Sequence, residues 1–246
     1  MDQSVLHRLD IDAPALGARV NHYAGVHKGL RLFMGETLAA VGRTDPADAT
    51  EVAATLAQVR DLLAVCASHL AHENHFIHAA MEARRPGSSA HTADDHVGHE
   101  ASIAALRAAV EAVEVAPGER RTAGLSRLYA GLARFVAENL EHMQVEETHN
   151  MAVLWDAYDD DELEALVQTL LASIPPQESM MFNRWILAGV SHPERVGMLT
   201  SMRAGAPAEV FAAVLDLARA TLAQRDWAKL ARALDVPAVP GWVERW

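Results

Sequence analysis

Histidine and glutamate recur at helical spacing in two parts of this 246-residue chain. His69 is followed four positions later by Glu73, and His142 is followed four positions later by Glu146. Residues with this spacing lie one turn apart on the same face of an α-helix, where an imidazole and a carboxylate are able to bind one metal ion together. Seven of the thirteen histidines lie between His69 and Glu100. The spacing therefore indicates a metal centre assembled from several helices.

The two glutamates fall on faces that are otherwise apolar. A buried carboxylate that has no partner costs several kcal/mol, and a divalent metal would satisfy both members of each pair. Imidazole and carboxylate ligands suit iron or manganese better than copper(I), and they are also compatible with zinc. A purely structural helical protein would need another partner for Glu73 and for Glu146.

The two pairs lie within a series of four long predicted helices, which must bring them together. The apolar periodicity predicts the four helices at about residues 14–42, 47–85, 91–115 and 120–158. His27 lies within the apolar stripe of the first helix. His96 and His99 share the apolar side of the third, and the helical wheel does not choose between them. Short connections make neighbouring helices antiparallel, so the simplest all-α assembly is an up-down-up-down four-helix bundle.

Two further histidines are placed by the same helical geometry. His78 and Glu82 repeat the four-residue spacing, but nine residues after His69 the helix has turned about half-way round. This pair is therefore predicted to face solvent. His149 lies two turns after His142, on the same face, and is predicted either to pack in the core or to line a channel for a small molecule.

The character of the chain changes after residue 158. Shorter helical patterns, separated by Pro-Pro, His-Pro and Ala-Pro, fill residues 159–246. We expect a bundle over residues 1–158 and a C-terminal helical extension over residues 159–246 that packs on it or forms an oligomer interface, such as that of a homodimer. Tryptophans would anchor this extension, namely Trp185, Trp227, Trp242 and Trp246.

Composition excludes several classes of protein. Half of the residues are hydrophobic but only 5% are aromatic, which favours helix over sheet. Cys66 is the only cysteine, so neither an intrachain disulfide nor a cysteine-based zinc site is expected. The net charge of -12 argues against nucleic acid or an anionic membrane as the partner. With no membrane-spanning or secretory pattern visible, we expect a cytoplasmic protein.

Taken in order, these motifs resemble the haemerythrin-like, or HHE cation-binding, domain family. The matching features are His27 in VHKGLR, the pair in HLAHE, a histidine after acidic residues in DDHVGHE, and the pair in HMQVEE. The resemblance covers about residues 15–158. It implies a non-haem centre of two iron ions inside a four-helix bundle. The implied ligands, with both glutamates bridging, are His27, His69, Glu73, His96, His142 and Glu146.

The resemblance prefers His96 over His99, because the family's third-helix ligand directly follows acidic residues. This chain departs from the oxygen-carrying haemerythrins at two places. Those proteins have His-x-x-x-His on the third helix, where this chain has His96 and Glu100. They also have a carboxylate five residues after the fourth-helix histidine, where this chain has Glu147 in addition to Glu146 at four. These departures are closer to the iron- and oxygen-sensing variants and argue against reversible oxygen carriage.

Two functions are consistent with this pattern. The first is a redox protein that reacts with oxygen, hydrogen peroxide or nitric oxide in stress defence, in which polar groups near the site (His99, Glu100, Glu138 and His149) move protons. The second is a non-enzymatic iron- or oxygen-sensing module that signals through its C-terminal helices. The sequence does not decide whether the protein is an enzyme.

Overall fold

The computed structural model describes residues 19–238, in which the regular elements are all helices and no β-strand occurs. The longest helices are α1 (Ala24–Arg43), α2 (Ala49–His72), α4 (Ala90–Val115) and α5 (Gly118–Val145). Two helices are extended through a turn of π-helix: α2 continues through Glu73–His78 into α3 (Ala79–Arg84), and α5 continues through Glu146–Asn150 into α6 (Met151–Ala157). The four predicted helical patterns are thus present, but the first helix begins later than predicted, at Ala24, because residues 19–23 are not helical. Its predicted start near residue 14 lies outside the described residues.

Five shorter helices follow, as the proline-punctuated pattern predicts. They are α7 (Asp160–Ser173), α8 (Pro176–Gly189), α9 (His192–Gly205), α10 (Ala208–Thr221) and α11 (Gln224–Ala233). Local sequence explains where several helices begin. The Asp48 side chain accepts hydrogen bonds from Thr50 and Glu51 at the start of α2, and Asp159 forms a capping box with Glu162 at the start of α7.

The four longest helices enclose one apolar core. In the order α1, α2, α4, α5 and back to α1, each packs against the next. The interior holds large side chains that exclude water almost completely, such as Phe33, Leu62, Leu132 and Phe135. Burial of a leucine or phenylalanine of this kind contributes roughly 1.5–3 kcal/mol. None of the helices within residues 19–238 combines the length and the apolarity needed to cross a membrane.

Helix α8 packs so closely against α1 that the backbones of the two helices are in contact. A Cβ atom added to Gly29 would approach the backbone nitrogen of Ile186 to 2.8 Å, and one added to Gly189 would approach the carbonyl oxygen of Lys28 to 2.6 Å. Close to this contact, Phe33 stacks on Trp185 with ring centroids 3.9 Å apart. The C-terminal helices are therefore joined to the helix that carries His27.

Two smaller apolar clusters complete the interior of the described residues. One joins α8 to the last helices and includes Leu187, Leu199 and Trp227. The other lies beneath α7 and includes Tyr23, Met151 and Leu163. Of the four tryptophans expected to act as anchors, Trp185 packs against the main core and Trp227 lies in the cluster of the last helices. Trp242 and Trp246 lie outside the described residues.

Gly29→Ala should destabilise the protein by about 1–3 kcal/mol, because the added methyl group forces α8 away from α1. Gly35→Ala is the matched control, since Gly35 is an exposed glycine of the same helix with no atom within 4 Å of its added Cβ. The control should gain about 0.5–1 kcal/mol from helix propensity. Urea unfolding monitored by circular dichroism measures both values. Equal effects of the two changes would contradict the close contact of α1 and α8.

Candidate metal centre

Six side chains meet in the interior between the four longest helices and their two π-helical turns. They are the six residues implied as ligands, namely His27, His69, Glu73, His96, His142 and Glu146. Five of them are at most 4% exposed, and the His69 side chain is 13% exposed. The structure thus brings together every residue of the predicted set, although their binding of a metal stays a prediction.

The six residues form two overlapping groups of metal-binding dimensions. His27 and His69 make one group with Glu73 and Glu146, and His96 and His142 make the other with the same two glutamates. Within each group the nearest ligand atoms all lie within 4.8 Å of one another. Both glutamates belong to both groups, so the two groups share their carboxylates.

Each glutamate turns one oxygen toward each group. Oε1 of Glu73 lies 3.1 Å from Nε2 of His69, while its Oε2 lies 3.6 Å from Nε2 of His96. Oε2 of Glu146 lies 3.4 Å from Nε2 of His27, while its Oε1 lies 3.2 Å from Nε2 of His142. This division of oxygens is the one that a bridging carboxylate requires.

The second group also contains a close pair of nitrogens. Nε2 of His96 and Nε2 of His142 are 3.0 Å apart. Two imidazoles that bind one ion at about 2.0–2.1 Å and at right angles to each other have their nitrogens at about this separation. The separation is also that of a hydrogen bond between the two rings, and it would suit neighbouring ligands of a single cation.

Unsatisfied polar atoms provide a test of whether the site fits a metal. All four carboxylate oxygens of Glu73 and Glu146 are buried and have no hydrogen-bond partner, as are Nε2 of His27 and Nε2 of His69. The contacts of 3.1–3.7 Å between imidazoles and carboxylates are thus too long or too poorly aligned to count as hydrogen bonds. Orphaned atoms of this kind are rare in proteins, and cations in the two groups would satisfy all six.

An outer layer of acceptors orients three of the imidazoles. Nδ1 of His27 donates to Oε1 of Glu147 (2.9 Å), and Nδ1 of His142 donates to Oδ2 of Asp95 (3.1 Å). Nδ1 of His96 lies 2.8 Å from Oδ1 of Asn74. An acceptor at Nδ1 places the proton on that nitrogen and leaves the lone pair of Nε2 directed into the centre, as in histidine ligands of metals.

The charges in the centre are unevenly distributed. Burial, followed by the neighbouring charge of Glu146, raises the pKa of Glu73 to about 8. Burial would also raise the pKa of Glu146, but the imidazoles of His142 and His96 lower it well below its usual value. Burial would lower the pKa of His27, yet Glu147 and then Glu73 raise it to about 9. Burial and the neighbouring charges thus shift the pKa values of Glu73 and Glu146 in opposite directions.

The two π-helical turns lie at the centre, and they account for two predictions that were wrong. Each turn begins at the glutamate of a His-x-x-x-Glu pair, and each adds one residue to the helical ladder. His78 was predicted to face solvent, which is wrong, because the first π-turn brings it inside, where it is 5% exposed. His149 was predicted to lie on the face of His142, which is also wrong. It is exposed, and Asn150 occupies the buried position instead.

The alternative ligands lie at the margin of the centre or outside it. His99 is buried, and its ring meets that of His142 edge-on at 4.8 Å, but it belongs to neither group. Glu147 bonds Nδ1 of His27 and the guanidinium of Arg31. Glu100 is exposed. The geometry therefore favours His96 over His99, and Glu146 over Glu147.

A buried polar network beside the centre was missed by sequence reasoning. Asn150 donates to the hydroxyl oxygens of Tyr23 (3.4 Å) and Thr92 (3.2 Å), and Thr92 hydrogen-bonds Nε2 of His78 (3.1 Å). The ring of His78 stacks on that of His96 at 4.8 Å. Tyr23 and Thr92 fall on apolar stripes, but only the π-helical turns bring His78 and Asn150 to them.

Comparison with known proteins does not identify the chain. No protein-family profile, no curated protein and no solved structure matches it.

Glu147→Gln should weaken metal binding by about 10–100-fold, because the residue that fixes the orientation of His27 loses its charge. Glu36→Gln is a matched control, since Glu36 is an exposed carboxylate on the same helix as His27, and it should leave the affinity unchanged. Competition for Co(II) with a chromophoric chelator measures both affinities. Equal affinities of the two variants would show that the contact between Glu147 and His27 does not support metal binding.

Proposed function

We propose that this protein is haemerythrin-like, and that an up-down-up-down four-helix bundle within residues 1–158 holds two iron ions. We further propose that the centre reacts with or senses oxygen, hydrogen peroxide or nitric oxide in the cytoplasm. The observation that carries the proposal is the pair of four-residue groups that share Glu73 and Glu146. A small molecule is the expected partner, rather than nucleic acid or a membrane, in keeping with the net charge of -12.

The proposed roles follow from the geometry. Glu73 and Glu146 bridge the two ions, since each directs one oxygen to each group. His27 and His69 bind one ion, and His96 and His142 bind the other. Four nitrogens and two bridging carboxylates leave coordination positions for solvent or a small molecule when both ions are octahedral. Manganese and zinc accept the same donors, and the family resemblance favours iron.

Bound iron would supply one-electron redox chemistry and positions at which a small molecule can bind. The protein surrounds that chemistry with a dry interior, because the ligands other than His69 are at most 4% exposed. Tyr23 holds a proton on its hydroxyl oxygen at neutral pH, since burial and then the charges of Glu146 and Glu73 raise its pKa well above 10. Because this oxygen accepts from Asn150, its own proton is free for donation.

Anaerobic loading with Fe(II) should give two irons per chain, and oxidation should produce a new near-ultraviolet absorption band. Glu73→Gln and Glu146→Gln should each lose bound iron, because each removes a charge shared by both groups. Glu100→Gln is the matched control, as Glu100 also stands four residues after a proposed histidine ligand but is exposed. Iron per chain is measured by mass spectrometry of the desalted protein.

Circular dichroism of each variant separates lost binding from lost folding. Full iron content in a folded Glu73→Gln variant, or no stoichiometric metal in the unmodified protein, would refute the proposal.

A sensing function is the second candidate, and the contact between α1 and α8 favours it. Lys28 follows His27 in the chain, and its carbonyl oxygen lies close to Gly189 of α8. The ammonium group of Lys28 also pairs with Glu194 of α9. A displacement of His27 would therefore be transmitted to the C-terminal helices through the direct contact between the backbones of α1 and α8.

Addition of hydrogen peroxide to the iron-loaded protein should distinguish the two functions. A redox enzyme should release one oxygen molecule for every two peroxide molecules, with many turnovers per chain and a rate above that of free iron. A sensor should stop after one turnover and change the amide hydrogen exchange of α8 and α9. No catalytic turnover and no change in exchange with any of hydrogen peroxide, oxygen and nitric oxide would contradict both functions.

A further inference from the structure

The four imidazoles of the centre differ in how the protein holds them from outside. Nδ1 of His27, of His96 and of His142 each lie 2.8–3.1 Å from a side-chain oxygen. His69 differs from them, because its Nε2 is buried whereas its Nδ1 is neither buried nor hydrogen-bonded within residues 19–238. An acceptor at the outer nitrogen of a histidine fixes the ring and supports its bond to a metal. His69 is therefore the least constrained of the four rings.

His69 is also the point at which the centre is closest to solvent. Its side chain is 13% exposed, whereas the side chains of the other three histidines are at most 4% exposed. The carboxylates of Glu73 and Glu146 are at most 3% exposed. Water, a metal ion or a small molecule that approaches the centre therefore has its shortest route beside this ring.

Helix α8 is attached to α2 at this point. Glu178, in the first turn of α8, accepts a hydrogen bond from the hydroxyl group of Ser68, and its Oε1 lies 3.9 Å from Nε2 of His72. Ser68 directly precedes His69 in α2, and His72 lies about one helical turn after it. The backbones of α8 and α1 are in contact as well. Helix α8 thus contacts both of the helices that carry His27 and His69.

We propose that the centre opens to solvent at His69. The ion that His27 and His69 would bind exchanges through this opening, whereas the ion that His96 and His142 would bind is retained. The proposal rests on the proposed binding of two metal ions by the centre. Glu178 supplies no ligand, and it slows the exchange because it holds α2 in place at the opening. A small molecule reaches the centre at the exchangeable ion, since the opening lies on that side.

Release of cobalt from the full chain tests the difference between the two ions. An excess of EDTA, added to protein loaded with two Co(II) per chain, should remove one equivalent at least about ten-fold faster than the other. Visible absorbance of Co(II) measures both phases. Asp95→Asn should accelerate the slow phase alone, because Asp95 orients His142.

Glu178→Ala should accelerate the fast phase alone, by about three-fold or more, because α2 loses its hydrogen bond to α8. Glu209→Ala is the matched control, since Glu209 is an exposed carboxylate in the first turn of α10, and it should change neither phase. Release of both equivalents at one rate would overturn the inference, and so would acceleration of the fast phase by Asp95→Asn. Equal fast phases in Glu178→Ala and its control would overturn the role of α8.

Chemical modification of the metal-free protein tests the opening without any metal. Diethyl pyrocarbonate transfers an ethoxycarbonyl group to accessible imidazole nitrogens, and mass spectrometry of peptides locates it. In the folded protein His69 should be modified before His27, His96 and His142. Modification of another of these rings before His69 would overturn the opening. Early modification of His69 in a protein that binds fewer than two cobalt ions would instead refute the two-metal centre.

Discussion

The carboxylates of Glu73 and Glu146 lie buried side by side, and none of their four oxygens has a hydrogen-bond partner. Transfer of an ionised carboxylate into a protein interior costs several kcal/mol unless a partner offsets it. Here the nearest groups are imidazole nitrogens at 3.1–3.7 Å, too distant or too poorly aligned for hydrogen bonds. Burial and the neighbouring charge of Glu146 raise the pKa of Glu73 to about 8. Cations shared by the two carboxylates would satisfy these oxygens.

The rest of the fold serves to hold these groups in place. The two π-helical turns begin at the glutamates and move the following residues by one position, which brings His78 and Asn150 into the interior. Outside the ligands, Glu147, Asp95 and Asn74 direct the Nε2 atoms of three histidines inward. This outer layer also connects the centre to its surroundings. Glu147 accepts a hydrogen bond from Arg31, and Asp95 lines a surface cleft between α4 and α5.

The regular α-helical repeat predicts the helices and the two His-x-x-x-Glu pairs, whereas the family resemblance added His27 and His96 to the predicted set. His69 with Glu73, and His142 with Glu146, share a face whatever the helix packs against. The choice of His96 over His99 depends on the rotation of α4 within the bundle, which the helical wheel leaves open. A π-turn interrupts the repeat without a mark in the sequence, so the positions of His78 and His149 were predicted wrongly. The close packing of α8 on α1 had one signal in the sequence, because Gly29 and Gly189 are glycines within helices.

We propose that Glu73 and Glu146 bridge two metal ions. Anomalous diffraction from crystals of the iron-loaded protein, recorded on both sides of the iron absorption edge, locates those ions. We predict two anomalous peaks, one among His27, His69 and the two glutamates, and the other among His96, His142 and the same glutamates. A single peak, peaks elsewhere in the molecule, or no peak between the glutamates would contradict the claim.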